Sequence, residues 1–214
     1  IFNDMYNLTD ISDIADWDAS KADDFSEMFG YCGSLTDISA LSNWDTSYVI
    51  SMEDMFKGTA ITNVDDLKNW SLNRATNISG MFEFCENLTD ISALSNWDTS
   101  KITNITYIFY GCSSLTDISA LSNWDTSKFE YIVGAFWDCT SLTDLNPIAN
   151  WNTSNVTRVN CIFSGCTSLV DATPISGWDI DFDTTEGLGI TNNAFADCTG
   201  LKKSNKYPSW YKNY

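Results

Sequence analysis

Histidine is absent from this chain, and with it go the serine–histidine and cysteine–histidine arrangements that activate a nucleophile near neutral pH, along with the commonest nitrogen ligand of zinc. Basic residues are scarce. Eleven stand against 29 acidic ones, giving a formal charge of −18 over 214 residues. Such a field repels polyanions at long range, so nucleic acid and anionic membrane surfaces are not expected partners. No apolar run reaches the ~18 residues of a membrane-spanning helix, so no direct membrane insertion is expected. The opening Ile1-Phe2-Asn3 lacks the charged and apolar regions of a secretion signal. There is no CxxC pair and no glycine-rich phosphate loop. What remains, at 43% apolar residues, has the composition of a folded protein.

Tryptophan recurs at Trp17, Trp44, Trp70, Trp97, Trp124, Trp151 and Trp178, at intervals of 27 residues with one of 26. Regularity of this kind is the mark of a repeat array. Twelve residues after each of the first six comes a phenylalanine, from Phe29 to Phe163; after Trp178 it comes five residues late, at Phe195. A five-residue insertion around 184–189 accounts for the delay. Phe2 begins a partial repeat whose Leu8, Thr9, Asp10 and Ile11 match Leu115, Thr116, Asp117 and Ile118, so the chain reads as a piece of a longer protein. The expected organisation is a single solenoid over 1–201, one partial plus seven repeats, with 202–214 a C-terminal cap or the start of a linker.

Within the unit beginning at Trp97, Ile102, Ile105, Ile108 and Phe109 are spaced as the stripe of a short helical or 3₁₀ arm. Leu115, Ile118 and Leu121 follow, with Asp117 and Ser119 alternating around Ile118, which predicts one very short parallel strand per repeat. No single unit can bury its own Trp, Phe, Leu and Ile, so stability is expected from stacking between neighbouring coils.

These residues resemble the bacterial surface proteins with 26-residue repeats, related to the BspA-like leucine-rich repeat proteins. The pattern is carried by Trp44-Asp45-Thr46-Ser47 with Met55-Phe56, by Met81-Phe82 with Cys85 and Leu88, and by Ala135-Phe136 with Cys139 and Leu142. It departs from the family at Thr59, where cysteine is replaced, and before Phe195. The resemblance implies an α/β repeat solenoid, a right-handed coil like a leucine-rich repeat. It also implies an extracellular, cell-surface bacterial protein, often an adhesin, whose signal and anchor lie outside this segment. The expected function is non-covalent recognition of a host or neighbouring-cell protein or glycan; the alternative is a stiff spacer presenting another domain.

Six of the seven cysteines (Cys32, Cys85, Cys112, Cys139, Cys166 and Cys198) fall three residues after the ladder phenylalanine. Stacked side chains at one position run parallel rather than converging, which predicts buried free thiols rather than disulfides. Cys161 lies outside the ladder and is expected to be the exposed thiol. Carboxylates form two columns, one through Asp90, Asp117 and Asp144 before the expected strand isoleucine, one through Asp98 and Asp125 after the tryptophan. Like charges about 4.8 Å apart repel by ~0.9 kcal/mol even in water. Such columns either stay solvated through local Asx bonds to backbone or recruit cations, so calcium at Asp90, Asp117 and Asp144 is the alternative to no cofactor at all. A column of equal environments cannot divide acid and base roles, and no enzyme is expected.

The ladder aromatics read as core. Aromatics at variable positions carry more information about binding. The residue after the phenylalanine runs Asn3, Gly30, Lys57, Glu83, Tyr110, Trp137, Ser164 and Ala196, as an outward position does. Tyr110 and Trp137 fall there on adjacent rungs, with Tyr107 and Tyr131 nearby and Glu130, Asp138 and Phe84 as rim residues. These seven are the candidate contact surface.

Overall fold

The computed structural model describes residues 1–180 and 193–211, and over them the chain winds as a repeat solenoid around one hydrophobic core running from Ile11 to Trp210. The expected insertion at 184–189 lies outside the described residues. Each coil is named below by its ladder phenylalanine.

The segment around that phenylalanine is neither helix nor ordinary strand. In the Phe109 coil, the N–H groups of Ile105, Tyr107, Phe109 and Gly111 donate to the carbonyls of Tyr131, Val133, Ala135 and Trp137 in the next coil. Those of Ile108, Tyr110 and Cys112 close local turns onto Ile105, Tyr107 and Phe109. The Thr106 N–H goes to Asn104 Oδ1, 3.0 Å away. Every N–H from 105 to 112 is thereby satisfied, alternately between coils and within the coil. Isolated parallel bridges link Asp24, Ser51, Asn77, Asn104, Tyr131 and Arg158 in sequence along this face. The helical or 3₁₀ arm expected over 102–109 is therefore a parallel ladder built of turns. Left-handed residues, Tyr107 at φ 58° and Gly111 at φ 74°, break any continuing helix.

The strand expected over 115–121 is corrected in the opposite sense. A 3₁₀ helix occupies Ser119–Asn123, and its counterparts are Ser39–Leu41, Ser92–Asn96 and Asn146–Ile148. Three-residue spacing explains the outcome. A period of two would put Leu115 and Leu121 on the face opposite Ile118, whereas a three-residue turn brings all three inward, and they are at most 1% exposed. Asp117 starts the turn by accepting the Ser119 N–H at 2.8 Å. Only Asn63 and Asp90 form a parallel bridge on this flank among the described residues.

Ring stacking and polar bonds tie coil to coil. The phenylalanines stack from Phe2 to Phe195 with centroids 5.4 to 6.0 Å apart. Each buried tryptophan indole donates to a carbonyl of the preceding coil, as Trp124 Nε1 does to Leu94 at 3.0 Å. The ladder gains a further rung after helix α1 (Thr199–Ser204): Trp210 stacks on Trp178 at 6.2 Å and donates to Ile175. Buried threonines after the tryptophan reach forward, Thr126 Oγ1 donating to Asn152 O at 3.1 Å.

The cysteine ladder is a column of free thiols. Each donates to the carbonyl of the phenylalanine one coil back, as Cys112 does to Phe82 and Cys139 to Phe109, both at 3.1 Å. Thr59, where cysteine is replaced, instead donates within its own coil to Phe56 O at 2.8 Å, the carbonyl that Cys85 also meets. Burial holds the ladder thiols well above the usual cysteine range, Cys85 at about 12. Cys161 is half-buried rather than exposed.

Candidate functional site

The turn ladder presents one face outward, made of the residues five, three and two before each phenylalanine and one and two after it. The residues two before and two after take left-handed backbone in coil after coil, for example Asp54, Tyr107, Phe84 and Asp138 at φ 53° to 58°. At Tyr31, Asp54, Phe84, Tyr107 and Asp138 the side chain so placed leans over the next coil, where a glycine receives it. A methyl group on Gly134 would meet Tyr107 Cδ1 and Cε1 at 2.5 Å, and one on Gly111 would meet Phe84 Cδ1 at 2.5 Å. At Gly80 it would strike the carboxylate of Asp54.

This packing gathers the expected aromatics. Tyr110 and Trp137 stack with centroids 4.7 Å apart and planes 18° apart. Phe84 joins Tyr110 at 4.6 Å, and Tyr107 lies 5.8 Å from Tyr110 and 6.3 Å from Trp137. All four rings are partly exposed. Asp138 follows Trp137 on the same face, and burial followed by its charge and that of Glu83 pushes the Tyr110 hydroxyl up. Tyr131, 45% exposed, stands on the bridge line beside the cluster. Glu130 is exposed next to it, and among the described residues its side chain makes no bond to the four rings.

Adjoining the cluster is a groove of about 410 Å³ lined by Glu53, Asp54, Lys57, Ser79, Gly80, Glu83, Asn104, Thr106, Tyr107 and Tyr131, so that Tyr107 belongs to both. Its centre is Lys57, whose Nζ lies 3.0 Å from Glu83 Oε2 and 3.3 Å from Asp54 Oδ2. Burial opposes the ammonium charge, but the bonds to Glu83 and Asp54 outweigh it and hold Lys57 above the usual lysine range. Asp54 and Glu83 are nonetheless both pushed up, by burial first, against the lowering pull of Lys57; repulsion from Glu53 and Glu27 adds to it at Asp54, and repulsion from Asp54 adds to it at Glu83. One cation divided between two carboxylates secures itself and leaves the acids under-compensated. Lys57 also lies 5.6 Å over the Tyr31 ring.

The groove residues other than the tyrosines escape the sequence reading. Lys57 and Glu83 stand in the same outward column as Tyr110 and Trp137, which is the signal that was there to find. Asp54, Ser79 and Asn104 come from different columns and meet only through the coil geometry.

The carboxylate columns lie on the other flank, by the 3₁₀ turns. Asp90, Asp117 and Asp144 each give Oδ1 to the N–H two residues on, at 2.8 Å. Asp98 and Asp125 do so at 3.1 and 3.0 Å. Among the described residues no group of three or more metal-capable side chains converges.

A leucine-rich repeat protein of known structure from Bacteroides ovatus is similar at 17% identity and a TM-score of 0.28, over 81% of this chain and 55% of that one; the chain thus spans about half that protein's length. No curated protein matches the chain. The family described as "Mycoplasma protein of unknown function, DUF285" matches residues 1–93 and 84–207. With nearly every coil inside those two spans, the chain belongs to the DUF285 family.

Proposed function

We propose that the chain is an extracellular, surface-attached bacterial binding module that recognises a protein or glycan of a host or neighbouring cell through the outward face of its turn ladder. The observation that carries this reading is the stacked Tyr110–Trp137 pair, flanked by Phe84 and Tyr107, on the face where neighbouring coils differ most. Rings held against one another present rigid contact area at little entropic cost, as hot-spot residues do. The BspA-like resemblance of the Trp-Asp-Thr-Ser and Met-Phe segments, with its leucine-rich-repeat-like coil, supports a surface location. The action is binding without covalent chemistry.

A spacer is the second reading, favoured by the near-identity of the opposite flank, where Leu-Thr-Asp-Ile-Ser-Ala-Leu-Ser-Asn-Trp-Asp-Thr-Ser recurs from Leu35, Leu88 and Leu115. Titration against mucin, fibronectin, fibrinogen and a glycan panel, with and without calcium, separates the two. Saturable binding lost in a folded Tyr110→Ala/Trp137→Ala variant supports the module; no binding by the folded wild type supports the spacer.

A further inference from the structure

The groove beside the aromatic stack is short of positive charge. Glu53, Asp54 and Glu83 line it with Lys57 as the one cation, and Lys57 is already committed to Asp54 and Glu83. Glu53 has one oxygen on Asn77 Nδ2 at 3.1 Å and enters no ion pair among the described residues. Ser79, on the groove wall and 6% exposed, has the one buried side-chain polar atom without a hydrogen-bond partner among the described residues. A hydroxyl in that state accepts from an incoming N–H. Tyr107 and Tyr131 complete the wall, and aromatic rings attract a cation.

We propose that this groove seats a guanidinium or ammonium side chain of a basic peptide segment, with an adjacent apolar residue of that segment lying on the Tyr110–Trp137 stack. The inference rests on the binding-module reading and names the chemistry of the partner. Carboxylates, an accepting hydroxyl and aromatic faces together match a guanidinium best, since its planar donors pair with carboxylates while its face lies on a ring. The overall charge of −18 steers such a segment toward the surface from a distance.

The test is calorimetric titration of the whole chain with an acetylated, amidated peptide of alternating arginine and leucine, and with the same peptide carrying neutral citrulline for arginine. Variants are Glu53→Gln and Ser79→Ala in the groove, Tyr110→Ala/Trp137→Ala on the stack, and Asp117→Asn on the opposite flank. One-site binding is expected, weakened about tenfold or more by Glu53→Gln and by citrulline. A loss of a few fold is expected for Ser79→Ala, and no change for Asp117→Asn. Equal weakening by Glu53→Gln and Asp117→Asn shows diffuse charge attraction and overturns the proposal. Saturable glycan or protein binding that needs Tyr110 and Trp137, with no peptide binding, overturns it while leaving the binding module standing. Failure of every probe on the folded chain removes both.

Discussion

Gly134 is where the fold and the candidate surface depend on the same atom, and replacing it with alanine separates their contributions. Its φ of +57° lies in the left-handed region, where a side chain costs about 1–2 kcal/mol. The added methyl would also lie 2.5 Å from two atoms of the Tyr107 ring, so the ring must swing away. That movement forfeits its tilted contacts with Tyr110 and Trp137, for which about 0.5–1.5 kcal/mol is the usual scale. Gly134→Ala is therefore expected to destabilise by about 2–3 kcal/mol. Gly177 is the internal control. It ends the 3₁₀ helix Thr173–Gly177, and a methyl there would meet nothing within 4 Å. Gly177→Ala is expected to stabilise by about 0.4–1 kcal/mol, chiefly by restricting the unfolded chain. Urea denaturation followed by far-UV circular dichroism measures both, provided the slope is unchanged, since a repeat array can lose cooperativity when one coil weakens. Ligand affinity should fall in Gly134→Ala and hold in Gly177→Ala, because only the first displaces Tyr107 from the groove wall. Equal midpoints for the two variants would refute the idea that left-handed side chains rely on a glycine in the next coil.

Three further outcomes follow from the ladder. Trp124→Phe removes the indole bond to Leu94, leaving that carbonyl with the Trp97 N–H alone, and opens a void; it should cost about 1–3 kcal/mol by the same denaturation measurement, whereas Trp17→Phe, at a site 46% exposed, should cost under about 1 kcal/mol. In native protein at pH 8 a thiol reagent should modify at most one of the seven cysteines, Cys161, because the ladder thiols are buried and held far from ionisation; release of several thiols without denaturant would contradict the ladder. Thermal stability should fall as the pH drops below about 4, because the Asx carboxylates Asp10, Asp37, Asp90, Asp98 and Asp125 are held below their ordinary range by bonds from the residue two ahead. A depressed folded value means stability that is whole above the unfolded value and lost on descending through the folded one. Asp54, Glu83 and Asp138 are raised and act in the opposite sense, gaining stability as they protonate, so a melting temperature that rises on acidification would show that the groove outweighs the flank.

The array itself was legible because each invariant residue marks one position of the coil: tryptophans recurring every 26 or 27 residues place the same side chain, buried from Trp44 to Trp178, on successive coils. The assignment of ladder and turn was not. Apolar residues recur at intervals of three in both segments, Ile102, Ile105 and Ile108 in one and Leu115, Ile118 and Leu121 in the other. Spacing alone does not distinguish a run of turns hydrogen-bonded to its neighbour from a 3₁₀ helix. The decisive feature is left-handed backbone at positions filled by residues such as Tyr107, Phe84, Asp54 and Cys161 more often than by glycine, so the usual turn signals are missing. The aromatic part of the candidate surface was visible as an unexpected residue type in a variable column, whereas Lys57 and Glu83, being ordinary at an outward position, attracted no notice there.

The two flanks of the coil are under different constraints, and this explains how one fold can stay nearly constant while its outward face changes. On the flank of the 3₁₀ turns, aspartate, serine, tryptophan and threonine each close a specific bond, such as Asp117 to Ser119, Trp124 to Leu94 and Thr126 to Asn152, so a substitution there removes a bond to a backbone group. On the ladder face the bonds between coils run from backbone to backbone, and apart from the column of Asn77 and Asn104, which accept the N–H two residues on, the outward side chains are largely released from structural duty. That freedom has one limit. A bulky left-handed residue needs a glycine in the coil that follows, as Tyr107 needs Gly134 and Phe84 needs Gly111, so a large ring occupying one such position excludes a large residue at the same position in the next coil. The residues one after the phenylalanine escape the limit, and there Tyr110 and Trp137 stand on consecutive rungs and stack. A continuous aromatic surface in this fold is therefore built from unbroken runs in that column, bordered by rings and glycines in successive coils.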